Sequence, residues 1–138
     1  MPARLVPHHR AHSREDELKV AYIAGPYRAS TPFQIQRNIR EAAEIALKYW
    51  KLGYAVICPH TNTALFDGEA PDNVWLEGDL ELIRRSDVIV MTPRWRDSSG
   101  ARAEYESAVS LGIDVYFEGE ADRAQEMHER MTQAGCSP

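Results

Sequence analysis

The sequence predicts an α/β domain with a doubly wound parallel sheet. Short apolar runs alternate with helical patterns from Lys19 onward. The runs are continuously apolar rather than alternating, which marks strands buried on both faces. Turn and cap residues fall at the joins.

Val20–Ala24 is the first run, stopped by Gly25-Pro26. Thr31-Pro32 then reads as a helix N-cap followed by Pro at the first helical position. That helix is expected from Phe33 to Leu52, with Gly53 as its C-terminal stop. Tyr54–Cys58 is the second strand, ended by Pro59, and a loop follows. A helix is expected over Asp72–Arg85, and a third strand over Asp87–Met91. Pro93–Ser99 reads as a loop, Gly100–Leu111 as a helix closed by Gly112, and Ile113–Phe117 as a fourth strand. Glu120–Gln133 reads as a last, charged helix. Four strands are visible and a fifth is not. Residues 1–18 read as a polar arm and 19–138 as one domain.

Composition removes several classes. The 138 residues are 43% apolar and 27% charged, which is globular rather than disordered. Acids outnumber bases 21 to 16, for a net charge of −5. A nucleic-acid binder wants a basic face, and no Lys/Arg block exists here. No apolar run approaches the ~20 residues that span a bilayer. Met1–Lys19 lacks the apolar centre of a secretory signal. Cys58 and Cys136 make neither a disulfide framework nor a four-ligand zinc site. His8, His9 and His12 have no carboxylate or Cys at fixed spacing to complete a metal set, so they read as a solvated tail rather than a metal site. A reducing cytoplasm is the default location.

In a doubly wound fold, ligands bind outside the carboxyl ends of the strands, where strand order reverses. Gly25–Ser30, Pro59–Ala64 and Thr92–Ser99 are therefore the segments to search. Helical wheels add two anomalies. In the first helix Tyr49, Ala42, Ile35, Ala46, Ile39, Trp50 and Ala43 share one arc, free of acids. In the second, Asp79 falls inside the arc of Trp75, Leu82, Ile83, Leu76 and Leu80. In the third, Glu104 falls inside the arc of Leu111, Ala108, Tyr105 and Val109, while Glu106 faces out. An unpaired buried carboxylate costs several kcal/mol, so each needs a partner or a task. Paired carboxylates in a crevice suit glycosidic chemistry. Glu104, read as first-turn, would be held ionised by the helix dipole, as a nucleophile requires.

Ser98, Ser99 and Gly100 offer hydroxyls and N–H groups at a helix start, either an anion site or a simple cap. Arg28 is the base nearest the end of the first strand. Tyr22 is a core aromatic or a hydroxyl with a partner. His60 and Asn62 follow the second strand and reach the crevice or hold the loop. Trp95 reads as a core or surface Trp more readily than as a base-stacking one.

Four segments in order, Tyr22-Ile-Ala-Gly25-Pro-Tyr-Arg28, Cys58-Pro-His60-Thr-Asn62, Gly78-Asp79 through Asp87, and Ser98-Ser-Gly100-Ala-Arg-Ala-Glu104, resemble the nucleoside 2-deoxyribosyltransferase-like superfamily. The resemblance implies a Rossmann-like, flavodoxin-like three-layer α/β/α fold, a homodimer or larger homo-oligomer, and cofactor-free cleavage of N-glycosidic bonds in a small nucleoside or nucleotide. It implies Glu104 as nucleophile at C1′, Tyr22 as its orienting partner, and Asp79 at the sugar or base, moving the proton. Gly25, Arg28, His60, Asn62, Ser98, Ser99 and Gly100 would bind substrate, and Asp87 would be structural. Ser98, six residues before Glu104, and Arg28, six after Tyr22, match the branch that hydrolyses nucleoside 5′-monophosphates. Pro26 is more like the transferase branch, where many members carry an acid at the Ser98 position. Hydrolysis of a nucleoside monophosphate is the leading expectation; base exchange on a deoxynucleoside and a non-catalytic nucleotide-binding module are the alternatives.

Overall fold

A computed structural model describes residues 17–119. The expected helix at 120–133 and most of the arm at 1–18 lie outside the described residues. The elements run β1 (Val20–Ala24), α1 (Pro32–Lys51), β2 (Ala55–Ile57), α2 (Pro59–Asn62), α3 (Asp72–Arg84), β3 (Val88–Met91), a 3-10 turn (Trp95–Asp97), α4 (Ser99–Ser110) and β4 (Asp114–Phe117). The described strands form one all-parallel sheet in the order β2-β1-β3-β4. This is the expected three-layer Rossmann-like architecture.

Period two divides each strand between two cores. Ala21, Ile23, Val88 and Val90 face α1 and pack with Ala42, Ala46 and Tyr49. Tyr22, Ala24, Ile89 and Met91 face the other way, toward Ile83 of α3 and Ala101 and Ala108 of α4. Ala24 pairs with Met91, so β1 and β3 end side by side. The chain leaves β1 in one direction, to β2, and resumes on the other side, at β3. The order therefore reverses between β1 and β3, and a crevice opens at their carboxyl ends.

Local signals explain the boundaries. Thr31 caps α1, its side chain accepting from Gln34 N. Ser98 caps α4, accepting from Ala101 N at 3.1 Å. Gly53 and Gly112 follow their helices at φ of 102° and 74°, a conformation that disfavours a Cβ. Asp87 Oδ2 accepts from Val20 N at 2.8 Å, pinning the start of β1.

Two expectations fail, the reach of the apolar helix faces and the loop after β2. Trp50 is 54% exposed, and Leu76 and Leu80 are 55% and 42% exposed. The wheel arcs are wider than the strips the helices press onto the sheet; α3 commits only Ile83 fully. The loop after β2 begins with a helical turn, α2, because Pro59 supplies a helix-compatible φ at its first position. Trp95, expected in the core or on the surface, lies in the core, packed against Tyr105 and Phe117 at ring distances of 4.7 and 6.0 Å.

Candidate active site

The crevice is a cleft of about 800 Å³ walled by the β1–α1 loop, α1, α2, the α2–α3 loop, α3, and the β3–α4 loop with the start of α4. Gly25 forms its floor. A Cβ there would lie 1.8 Å from Thr92 Oγ1, so only glycine lets β1 leave the sheet beside β3.

Glu104 and Asp79 both line this cleft, one from α4 and one from α3. Tyr22 is fully buried in β1 beneath those two helices, and its hydroxyl donates to Glu104 Oε2 at 2.5 Å. Burial pushes the Glu104 carboxyl from its ordinary 4.5 up to about 8; the Tyr22 hydrogen bond works against that rise, and the nearby Asp79 charge adds to it. Burial alone lifts Asp79 from 3.8 to about 6. Tyr22 is pushed far above the usual phenol range, first by burial and then by the charges of Glu104 and Asp79, so it stays a donor.

The expected ionisation of Glu104 is therefore corrected. α4 begins at Ser99, which places Glu104 in the second turn rather than the first. The dipole is worth ~0.3–1 kcal/mol and fades beyond the first turn. Desolvation acts in the opposite sense and prevails.

The remaining residues fall into two groups. Gly25, Arg28, His60, Ser98, Ser99 and Gly100 line the cleft. His60 is buried, and its Nε2–H donates to the carbonyl oxygens of Pro26 (2.9 Å) and Gly25 (3.2 Å). Burial holds its imidazole below the usual 6.5, so it is a neutral brace for the β1–α1 loop. Asn62 is elsewhere, in a separate groove with Trp50 and Cys58. In a helical turn, residues two apart face apart, so the turn that aims His60 at the cleft turns Asn62 away.

Arg28 differs most from expectation. Its guanidinium donates to Asp72 Oδ1 at 3.1 Å and lies 3.6 Å from Asp67 Oδ2. Tyr27 OH donates to Asp67 Oδ1 at 2.9 Å, so the β1–α1 loop is tied to the α2–α3 loop.

Residues not anticipated also reach the cleft, among them Arg37, Asn38, Arg94 and Asp97. Asn38 is buried; its Nδ2 donates to Tyr27 O, and its Oδ1 accepts from Arg94. Arg94 also pairs with Glu41 at 3.3 Å and holds a φ of 66°, uncommon for a residue with a Cβ. Asn38 lies at the border of the apolar arc of α1, a signal that could have marked it. Nothing local marks Arg94.

The fold places this chain in a class, Rossmann-like α/β/α proteins with a carboxylate-lined cleft at the switch point. A family model described as "Domain of unknown function (DUF4406)" matches residues 19–117, and the chain belongs to that family. A solved 2-deoxyribosyltransferase from the psychrotolerant bacterium Bacillus psychrosaccharolyticus shares the fold, with a TM-score of 0.52, 21% identity, and coverage of 71% of this chain and 70% of that one. No curated protein matches the chain. No helix among the described residues is long and apolar enough to cross a membrane.

Proposed function

We propose that the protein cleaves the N-glycosidic bond of a nucleoside or nucleoside 5′-monophosphate through a glycosyl-Glu104 intermediate. The observation that carries this reading is the part-buried hydrogen bond from Tyr22 to Glu104 in a cleft that also holds Asp79. In the first step Glu104 Oε bonds to C1′ as the C1′–N bond breaks. The bonding pair passes to the base nitrogen, and Asp79 supplies its proton. In the second step water attacks C1′, Asp79 takes a proton from it, and Glu104 leaves as a carboxylate. The Tyr22 hydroxyl orients Glu104 and stabilises its ionised form.

The two acids titrate near 8 and 6, so between those values the pair holds one proton. That proton rests mainly on Glu104; the productive arrangement has it on Asp79. Such a pair is described by its joint titration. The shared fold with a 2-deoxyribosyltransferase supports sugar–base chemistry in this cleft. It also keeps a second reading, transfer of the sugar to another base, favoured by Pro26 in the β1–α1 loop.

The test is incubation with nucleosides and their monophosphates, with and without a second base, and chromatography for free base. Base release without an acceptor supports hydrolysis, and faster base exchange supports transfer. No release or exchange from any substrate contradicts both.

A further inference from the structure

We propose that Asn38 and Arg94 act together as a crosspiece that fixes the two loops of the crevice to each other and so positions Glu104 against the substrate. The inference rests on the glycosidic reading of the same cleft and adds two positioning residues to it. Asn38 is buried in α1, and both ends of its amide are used. Its Nδ2 donates to Tyr27 O at 3.0 Å, in the loop after β1. Its Oδ1 accepts from Arg94 Nη2 at 3.1 Å, in the loop after β3. An acceptor at one end and a donor at the other hold the amide in a single orientation. β1 and β3 are neighbours whose ends define the crevice, so one buried side chain joins its two loops. His60 already holds the carbonyls of Gly25 and Pro26, and Asn38 takes the next one, Tyr27. Three successive carbonyls of the first loop therefore rest on buried side chains.

The backbone of Arg94 gives the second reason. Its φ of 66° suits glycine and disfavours a Cβ. Such a conformation persists where the surroundings over-determine it, and functional sites are where it collects. The Nη2 that reaches Asn38 also lies 3.3 Å from Glu41 Oε1, about one turn further along α1. From Arg94 the chain runs to Glu104 through short hydrogen-bonded steps. Asp97 N donates to Arg94 O at 3.0 Å, Ser98 N donates to Trp95 O at 3.1 Å, and Ser98 caps the helix that carries Glu104. A shift at Arg94 is passed to the start of α4, and from there to the carboxyl that Tyr22 holds at 2.5 Å. Displacing a reacting group by about 1 Å costs on the order of 100-fold in rate.

The experiment measures base-release kinetics, urea midpoints and amide hydrogen exchange on Asn38→Leu, Arg94→Gly, Arg94→Lys and the double variant Asn38→Leu/Arg94→Gly. Glycine relieves the backbone at position 94, so Arg94→Gly keeps the test open if Asn38→Leu does not fold. The crosspiece predicts that Arg94→Gly and Asn38→Leu each lose about 10–100-fold in kcat with KM within about threefold, and that Arg94→Lys loses less. Because the pair acts as one unit, the double variant falls no further than either single variant. A wild-type kcat in Arg94→Gly, or losses that multiply in the double variant, overturns the proposal. Exchange separates it from the reaction. In Asn38→Leu the amides of Trp95, Asp97 and Ser98 should exchange faster, while those of β1 and β3 stay as they are. Faster exchange there, in a protein that releases no base from any substrate, keeps the crosspiece and overturns the glycosidic reading. Unchanged exchange at those three amides overturns the crosspiece whatever the activity.

Discussion

The Tyr22 hydroxyl donates to Glu104 Oε2 at 2.5 Å, joining the middle of β1 to the second turn of α4 across 82 residues of sequence. Tyr22 is fully buried and faces the α3–α4 core, where its hydroxyl meets the Glu104 carboxyl; that hydrogen bond lowers the carboxyl's pKa against the rise that burial imposes.

Tyr22→Phe removes that bond and leaves the ring packing intact. The Glu104 carboxyl then titrates higher than its present value of about 8. Base release is expected to fall by about 10–100-fold in kcat with little change in KM, as for loss of one charge-assisted hydrogen bond. Steady-state kinetics across pH checks this: the alkaline shift of the Glu104 limb is the signature, and loss of packing alone would not move it.

The wild-type profile of kcat/KM against pH is expected to be bell-shaped. Activity needs Glu104 ionised and Asp79 protonated, so it rises as pH climbs toward about 8 and is cut back by loss of the Asp79 proton above about 6. The pair's joint titration places the maximum between those limits, with the productive form a minor fraction. A profile flat across that window contradicts the assignment.

Stability should follow the same groups. Both carboxyls bind protons more tightly in the folded protein than in the unfolded chain, so stability is complete below their ordinary values of 4.5 and 3.8. It declines as pH rises toward about 8 for Glu104 and about 6 for Asp79. Glu104→Gln cannot ionise. Its stability relative to the wild type should grow across that window by about 1–3 kcal/mol, read as a widening gap in urea midpoints.

Gly25→Ala tests the floor of the cleft. The added Cβ meets Thr92 Oγ1 at 1.8 Å and Thr92 Cβ at 2.9 Å, and Thr92 is 2% exposed, with no room to yield. The variant should lose about 1–3 kcal/mol of stability, as other overpacked cores do, and should lose base release beyond what that destabilisation explains. Chemical denaturation and activity in the same preparation separate the two.

Strands and inward acids were legible because both obey a period. The apolar runs at Val20–Ala24 and Val88–Met91 can only be buried strands, and Asp79 and Glu104 interrupt otherwise apolar helix faces. What was not legible depends on long-range company. Asp67 lies in a loop without periodicity, so its hold on Tyr27 and Arg28 leaves no trace in the chain. Asn62 was misplaced because a loop reading leaves both it and His60 free to reach the crevice, whereas a helical turn sets residues two apart on different sides. The ionisation of Glu104 was misread because the wheel shows a direction, not the depth that makes desolvation outweigh the helix dipole.

The most direct measurement is intact and peptide mass analysis of the protein quenched during turnover of a nucleoside. The account predicts a sugar mass on the peptide carrying Glu104, absent in Glu104→Ala along with base release. Base release by Glu104→Ala at the wild-type rate, or a sugar adduct on another residue, would contradict it.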